Sequence, residues 1–207
     1  MTRAPLGGVE LLERALRYTH AALLDVDPSH LDRPTPCAEW SLDGLLDHMD
    51  DALDAFTEGA GGTVAPAAPR PETASVSRRV QTLQHKACAL LGAWSGPRAR
   101  DTVRVAGLEI PTEVLLHAAA LEIAVHGWDV AQATGHRTPI PAPLAIRLTE
   151  VAPAMVADVD RGTRFARPVP PEWGTARHRS GGEASARLVG YLGRRPLEAG
   201  SRVSPVS

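Results

Sequence analysis

Apolar side chains recur at three- and four-residue steps along most of the chain, which is the spacing of amphipathic helices. The first such pattern predicts a helix over residues 8–26, stopped by the Asp-Pro pair that follows. Ser41 is a favourable N-cap for a second helix, whose apolar stripe continues to Phe56. A third helix is predicted over residues 72–94. It follows a stretch rich in Gly, Ala and Pro at residues 59–71, which we interpret as a linker.

The second half of the chain begins with alternating residues and then returns to helical spacing. Residues 102–110 alternate around a glycine, which predicts a short hairpin. A fourth helix, capped by Thr112, is expected to reach about Ala133 and to be closed by Gly135 as its C′ residue. A fifth helix over residues 143–159 begins with a proline, which is favourable at the first helical position.

The remaining residues form a tail rich in Pro and Gly. It is predicted to contain one short helix over residues 183–193. Three of its other side chains are candidate anchors: Phe165, Val169 and Trp173. Four long amphipathic helices of similar length predict an all-α four-helix bundle, in which metal sites form from inward-facing side chains. We therefore divide the chain into a bundle at residues 1–160 and a C-terminal extension packed on it at residues 161–207.

Composition narrows the class of protein. The chain has 207 residues, of which 43% are hydrophobic, enough for one ordinary domain with a core. A net charge of −2 and a pI of about 6.4 give no electrostatic case for binding nucleic acid or a membrane surface. No apolar run is expected to span a bilayer, and residues 1–8 lack the apolar core of a signal peptide. We expect a cytoplasmic monomer or homodimer with Cys37 and Cys88 as free thiols.

The residues with the clearest chemical meaning are Glu122 and His126. Their i, i+4 spacing puts a carboxylate and an imidazole one turn apart on one helix face. If the helix that carries His48 packs alongside, the three side chains converge as a His/Glu/His set, the ligand type of a catalytic metal centre with an open position. The alternative is that His126 bonds to a backbone carbonyl in the core while Glu122 faces solvent.

The sequence gives weaker support for a functional role of other polar residues. Asp129, three residues after His126, is either a partner that fixes an imidazole tautomer or an ordinary surface residue. His117 points about 140° away from Glu122 by helix geometry, which excludes it from the ligand set. Cys37 has no His or Asp beside it in sequence, so a structural role is favoured for its segment.

Two further groups of residues fit ordinary surface roles. The pair formed by His85 and Cys88 has no matching second pair, so it is interpreted as part of a helix face. The tail carries a group of arginines that is either an anion site or solvated surface: Arg161, Arg164, Arg167, Arg177 and Arg179.

Five segments carry a resemblance to a known family: TPCAEWS at 35–41, LLDH at 45–48, Glu122, HGWDVAQATG at 126–135 and GYLGRRP at 190–196. Together they resemble the mycothiol-dependent maleylpyruvate isomerase family, part of the broader DinB-like group of metal-binding four-helix bundles. The last segment is similar to the end of a short actinobacterial branch of that group. The resemblance extends from about residue 6 to about residue 196.

The resemblance implies a divalent metal, usually zinc, held by His48, Glu122 and His126. It also implies mycothiol as a cosubstrate whose thiolate binds the metal and attacks an electrophilic carbon. The isomerase carries a larger C-terminal domain than the tail found here. We therefore expect a metal-dependent thiol transferase or isomerase acting on a small electrophile. The alternatives are a thiol-independent metalloenzyme acting on a biosynthetic intermediate and a non-catalytic bundle that binds a small molecule.

Overall fold

The computed structural model describes most of the chain, in the ranges 7–37, 40–62, 75–96, 101–105, 107–156, 158–161, 166–169 and 182–197. Within them the elements are α1 (Gly8–Leu23), α2 (Leu42–Ala60), α3 (Val76–Ser95), β1 (Thr102–Val105), β2 (Leu108–Pro111), α4 (Thr112–Thr134), α5 (Ala142–Met155) and α6 (Gly182–Tyr191). Single turns of 3-10 helix lie at Pro28–His30 and Asp158–Asp160. The all-α prediction is confirmed, with the predicted hairpin as a small antiparallel sheet.

The first four helices pack as the predicted bundle. α1 lies along α4 and α2 lies along α3, while contacts of α1 with α3 and of α2 with α4 close the arrangement. The core between them contains the side chains that helical spacing places on one face of each helix, among them Leu12, Leu45, Leu83 and Ala120. α6 packs on α5, and α5 contacts α4, so the last described helix is attached to the bundle through α5.

α4 is the central helix of the fold. Every residue from Ile123 to Thr134 is buried, so each polar group on this stretch needs a partner. α1 approaches α4 closely at Gly127, where an added Cβ would lie 2.3 Å from the hydroxyl oxygen of Thr19. Thr19 donates that hydroxyl to the carbonyl oxygen of Ile123 at 2.7 Å. Glycine after His126 therefore lets α1 pack directly against the backbone of α4.

α4 meets the length and hydropathy criteria of a membrane span, which the sequence analysis did not expect of any run of the chain. It is the one helix in the described ranges that does so. However, 72% of its apolar window is buried inside the bundle. The packing of neighbouring helices around α4 accounts for its apolar composition.

Three predicted helices end earlier than expected, among them α6, which stops at Tyr191 instead of residue 193. α1 stops at Leu23 instead of residue 26, because the side chain of Asp27 accepts a hydrogen bond from the backbone N–H of Ser29 and starts a separate 3-10 turn. α5 stops at Met155 instead of residue 159. Pro153 lies in its last turn and removes a backbone donor there.

The predicted caps are partly correct. Ser41 caps α2 by accepting from the N–H of Gly44 at 3.4 Å, and Gly135 closes α4 with a φ of 91°. The capping role predicted for Thr112 is wrong, because Pro111 occupies the N-cap and Thr112 is the first helical residue. α5 and α6 begin one residue before their predicted starts.

Some predictions fall outside the described residues. These are the predicted start of the third helix at residue 72, most of the linker, and the anchors Phe165 and Trp173. Val169 is described, and its backbone N–H donates to the carbonyl oxygen of Gly190 at 2.8 Å. This bond attaches part of the tail to α6.

Candidate metal centre

The three predicted ligands lie where α2 faces α4. His48 follows two buried leucines on α2, and Glu122 and His126 are one turn apart on α4. His126 keeps only 5% of its side chain exposed, whereas His48 and Glu122 keep 32% and 34%. The cluster is therefore closed on the side of His126 and accessible on the side of the other two residues.

One oxygen of Glu122 is shared by the two histidines. Its Oε1 lies 2.7 Å from Nε2 of His48 and 3.0 Å from Nε2 of His126. One possible ligand atom from each residue lies within 4.8 Å of the others, and no other group of three His, Cys, Asp or Glu meets this condition in the described ranges. The structure thus brings the predicted ligands together. His126 does not make the isolated backbone contact of the alternative interpretation.

Asp129 is a buried partner of His126 and not a surface residue. Its Oδ2 lies 3.0 Å from Nδ1 of His126, and none of its side chain is exposed. An acidic partner on Nδ1 orients the ring and leaves Nε2 directed at Glu122. Asp129 therefore makes the contact with His126 that a partner fixing the imidazole tautomer would need.

Arg194 belongs to the same network and was not identified from the sequence. Its Nε donates to both carboxylate oxygens of Asp129, at 3.1 and 2.9 Å, and 11% of its side chain is exposed. The residue follows α6, beyond the bundle. In the sequence, Arg194 stood out only as part of the GYLGRRP segment at 190–196. Residue spacing could not predict that this segment contacts α4.

Glu122 and His126 form an ion pair. Burial acts to raise the pKa of Glu122, but the charge of His126 and hydrogen bonds from both imidazoles outweigh it and hold the pKa below its usual range. Burial acts to lower the pKa of His126, but Glu122 and Asp129 raise it to about 9. Both ring nitrogens of His126 face carboxylate oxygens, so the ring carries two protons at neutral pH.

The side chain of Trp40 packs against the cluster at His48. Its ring stacks on that of His48 with centroids 4.2 Å apart and an interplanar angle of 28°. The hydroxyl of Thr35 lies 2.9 Å from the carbonyl oxygens of both Cys37 and Trp40, which fixes the loop that carries the tryptophan. This agrees with the structural role predicted for the segment, of which residues 38 and 39 lie outside the described ranges.

The other candidate residues lie elsewhere. Nε2 of His117 is 3.2 Å from a carboxylate oxygen of Glu113, away from the cluster, as the helix geometry predicted. His85 and Cys88 are exposed on α3. Cys37 is half-buried and free of a disulfide.

The tail arginines do not form an anion site in the described ranges. Arg161 packs over the ring of Tyr191 at 4.7 Å and donates to its carbonyl oxygen at 3.1 Å, so it holds the tail to α6. Arg167 is exposed. The other three arginines, at positions 164, 177 and 179, lie outside the described residues.

An open pocket of about 430 Å³, counted with the part that reaches solvent, adjoins the cluster. The four bundle helices all contribute to its wall, and Glu122 and His126 form part of that wall. A ligand in this pocket would contact Glu122 and His126, which are also members of the cluster. The sequence could not locate it, because its wall depends on how four helices pack together.

Comparison with known proteins identifies relatives. The family model of the mycothiol maleylpyruvate isomerase N-terminal domain matches residues 12–131, which include all three cluster residues. Two uncharacterized proteins from two strains of Mycobacterium tuberculosis are each 26% identical to the chain over 182 residues. These alignments cover 88% of this chain and 94% of each relative.

Two solved structures are also similar. They are crystal structures of the mycothiol-dependent maleylpyruvate isomerase and of a histidine-to-alanine mutant of it, with 20% and 19% sequence identity and TM-scores of 0.48 and 0.49. Each match covers 59% of this chain and 59% of the solved chain. The chain thus spans about three-fifths of the isomerase chains that it matches.

Proposed function

Because the chain belongs to the mycothiol maleylpyruvate isomerase N-terminal domain family, we propose that it is a divalent-metal-dependent enzyme that activates mycothiol, a low-molecular-weight thiol, for attack on a small electrophile. The reaction is an isomerisation or an S-transfer. The observation that carries the proposal is the convergence of His48, Glu122 and His126 beside an open pocket.

The donor atoms fit a catalytic divalent ion, which we propose to be zinc. Two imidazole nitrogens and one carboxylate oxygen match the three-ligand sets of catalytic zinc, which leave one position open. Asp129 on the far nitrogen of His126 is the usual support for a metal-binding histidine. An ion held here would lower the pKa of a coordinated thiol, so that a thiolate is available near neutral pH.

The residues of the chain bind and orient the reactants. Trp40 shields one face of His48, and the pocket beside Glu122 holds the electrophile. The thiol loses its proton to solvent, and its sulfur forms a C–S bond with the electrophilic carbon. In a transfer, the leaving group departs with the electron pair of the bond that breaks. In an isomerisation, the π pair moves to a conjugated oxygen and returns when the C–S bond breaks again.

We propose the same type of thiol chemistry for this chain but not the same substrate as that of the isomerase, because the chain spans only about three-fifths of that enzyme. The cytoplasmic location and the monomer or homodimer state stay predictions. The division into a bundle and a C-terminal extension is part of the same proposal.

Metal content tests the proposal first. Protein purified without an affinity tag should contain about one zinc per chain. His48→Ala and His126→Ala should lose the metal and keep their helical content, whereas His85→Ala, at an exposed position on α3, should keep both. A wild-type protein that is metal-free and refuses added zinc would contradict the proposal.

Thiol dependence tests the reaction. Turnover of small electrophiles by the zinc-loaded protein should require mycothiol and should stop on chelation. Metal-dependent turnover without any thiol would instead identify the thiol-independent metalloenzyme. Ligand binding without turnover under any condition would identify the non-catalytic bundle.

A further inference from the structure

We propose that the pocket beside Glu122 receives an uncharged, largely apolar electrophile and not a dicarboxylate such as maleylpyruvate. The inference rests on the proposed function, since it names the substrate class of the same site. It comes from the wall of the pocket. All four bundle helices present apolar side chains to it, among them Leu16, Met49, Leu53, Leu83 and Ile123.

The polar groups in the wall are poor partners for a carboxylate. None of the described residues that line the pocket is Arg or Lys. The hydroxyl of Thr19 is committed to the carbonyl oxygen of Ile123 at 2.7 Å. His20 is exposed, Gln84 is half-buried, and Glu122 is itself a carboxylate. The imidazole of His126 also lines the wall, but both of its ring nitrogens already face carboxylate oxygens, of Glu122 and Asp129.

Cations close to the pocket in sequence are held by other groups. Lys86 neighbours the wall residue Ala87, but its Nζ lies 2.7 Å from Asp50 and 2.6 Å from Asp54. Arg79 pairs with two aspartates of α2. A carboxylate in the apolar part of the pocket would therefore lose hydration without gaining a counter-ion, which is costly.

The composition of the wall suits a small molecule. Small-ligand sites are mostly apolar with few polar groups, and this pocket, which opens to solvent, has the same character. An uncharged electrophile fits the wall with its apolar body and reaches Glu122 and His126 with its reactive carbon.

A matched pair of unreactive probes tests the charge preference. Dimethyl phthalate and phthalate share a carbon skeleton and differ in charge, and ligand-observed NMR on protein with and without zinc measures their binding. We expect the diester to bind the metal-free protein at least roughly ten-fold more tightly, because the dianion finds no unpaired counter-ion in the wall. In the zinc-loaded protein the charge of the ion attracts the dianion, so the preference should be smaller but keep its direction. Tighter binding of phthalate in either state would overturn the inference.

Substitutions on α3 locate the binding site. Ala87→Phe fills the pocket and should weaken diester binding by roughly five-fold or more, whereas Ala89→Phe, at an exposed position outside the wall, should leave it unchanged. Gln84→Arg should increase phthalate binding, and the exposed control Gln81→Arg should not. Unchanged diester binding in Ala87→Phe would place the ligand elsewhere and overturn the inference.

Turnover separates this inference from the proposed function. Dimethyl maleate and maleate are offered with mycothiol, and each rate is divided by its uncatalysed rate. A larger enhancement for the diester supports both conclusions. Enhancement that favours maleate overturns the pocket inference and leaves the thiol chemistry standing. Diester binding without thiol-dependent turnover of either compound removes the proposed function and leaves the pocket assignment standing.

Discussion

Arg194 and Asp129 form a buried ion pair although 65 residues separate them in the chain. Asp129 in turn contacts His126, so a residue that follows α6 helps to position a candidate metal ligand on α4. The C-terminal part of the chain is therefore coupled to the cluster and is not only packed on the bundle.

Loss of this ion pair should affect both stability and metal affinity. Arg194→Ala leaves the carboxylate of Asp129 buried without its cation, which we expect to cost about 3–5 kcal/mol of unfolding free energy. Zinc affinity should fall by about 10–100-fold, because the support of His126 is disturbed. Urea unfolding and competition with a chromophoric chelator measure the two effects. Arg187→Ala, an exposed position on α6, is the control and should change neither.

Stacking of Trp40 on His48 should contribute to metal affinity. Trp40→Leu removes the ring contact, and an aromatic pair contributes about 0.5–1.5 kcal/mol, so zinc affinity should fall by roughly 2–10-fold. Trp40→Phe retains a stacked ring and should stay close to wild type. Equal affinities in the leucine and phenylalanine variants would show that the stack does not support the ligand.

The stability of the metal-free protein should depend on pH through His126. Its pKa is raised from 6.5 to about 9 in the folded state, so its contribution is complete below about pH 6.5 and is lost as the pH rises toward 9. We expect a loss on the order of 2 kcal/mol over this interval relative to His126→Gln. Urea unfolding in EDTA at pH 5.5, 7.5 and 9 measures the difference. Parallel pH profiles for the two proteins would contradict the prediction.

The contribution of Glu122 has the opposite direction with pH. Its folded-state pKa is lowered, so its contribution is present above its ordinary pKa and is lost as the pH falls below about 4.5. The two contributions are both complete between about pH 4.5 and pH 6.5, so the metal-free protein should be most stable in that interval. Glu122→Gln should flatten the acid side of the profile measured in the same unfolding experiments.

Gly127 should be difficult to replace. A Cβ at this position would lie 2.3 Å from the hydroxyl oxygen and 3.0 Å from the Cα of Thr19, so Gly127→Ala must separate α1 from α4. We expect a destabilisation of about 1–3 kcal/mol from overpacking, measured by urea unfolding. Gly92→Ala is the matched control. That helical glycine has nothing within 4 Å of an added Cβ, and alanine there should stabilise by about 0.5–1 kcal/mol.

Local rules predicted much of the fold and the centre of the site. The spacing of Glu122 and His126 needs only helix geometry, and the apolar stripe of α2 orients His48 toward the same core. Helix ends were less predictable, because Asp27 and Pro153 act through particular hydrogen bonds that periodicity does not contain.

Long-range features could not be inferred from spacing. Arg194 meets Asp129 only because α6 packs on α5 beside α4, and the pocket exists only once four helices are assembled. The assignment of Asp129 stayed open in the sequence for the same reason, because its burial depends on the packing around α4.

Because two imidazoles share one oxygen of Glu122, the candidate ligand atoms are hydrogen-bonded to one another. We therefore expect the chain to fold before it binds the proposed cation, unlike a small zinc finger, which stays unfolded until metal binds. Binding of the ion would then exchange the protons of these hydrogen bonds for the ion within a cluster that is already assembled.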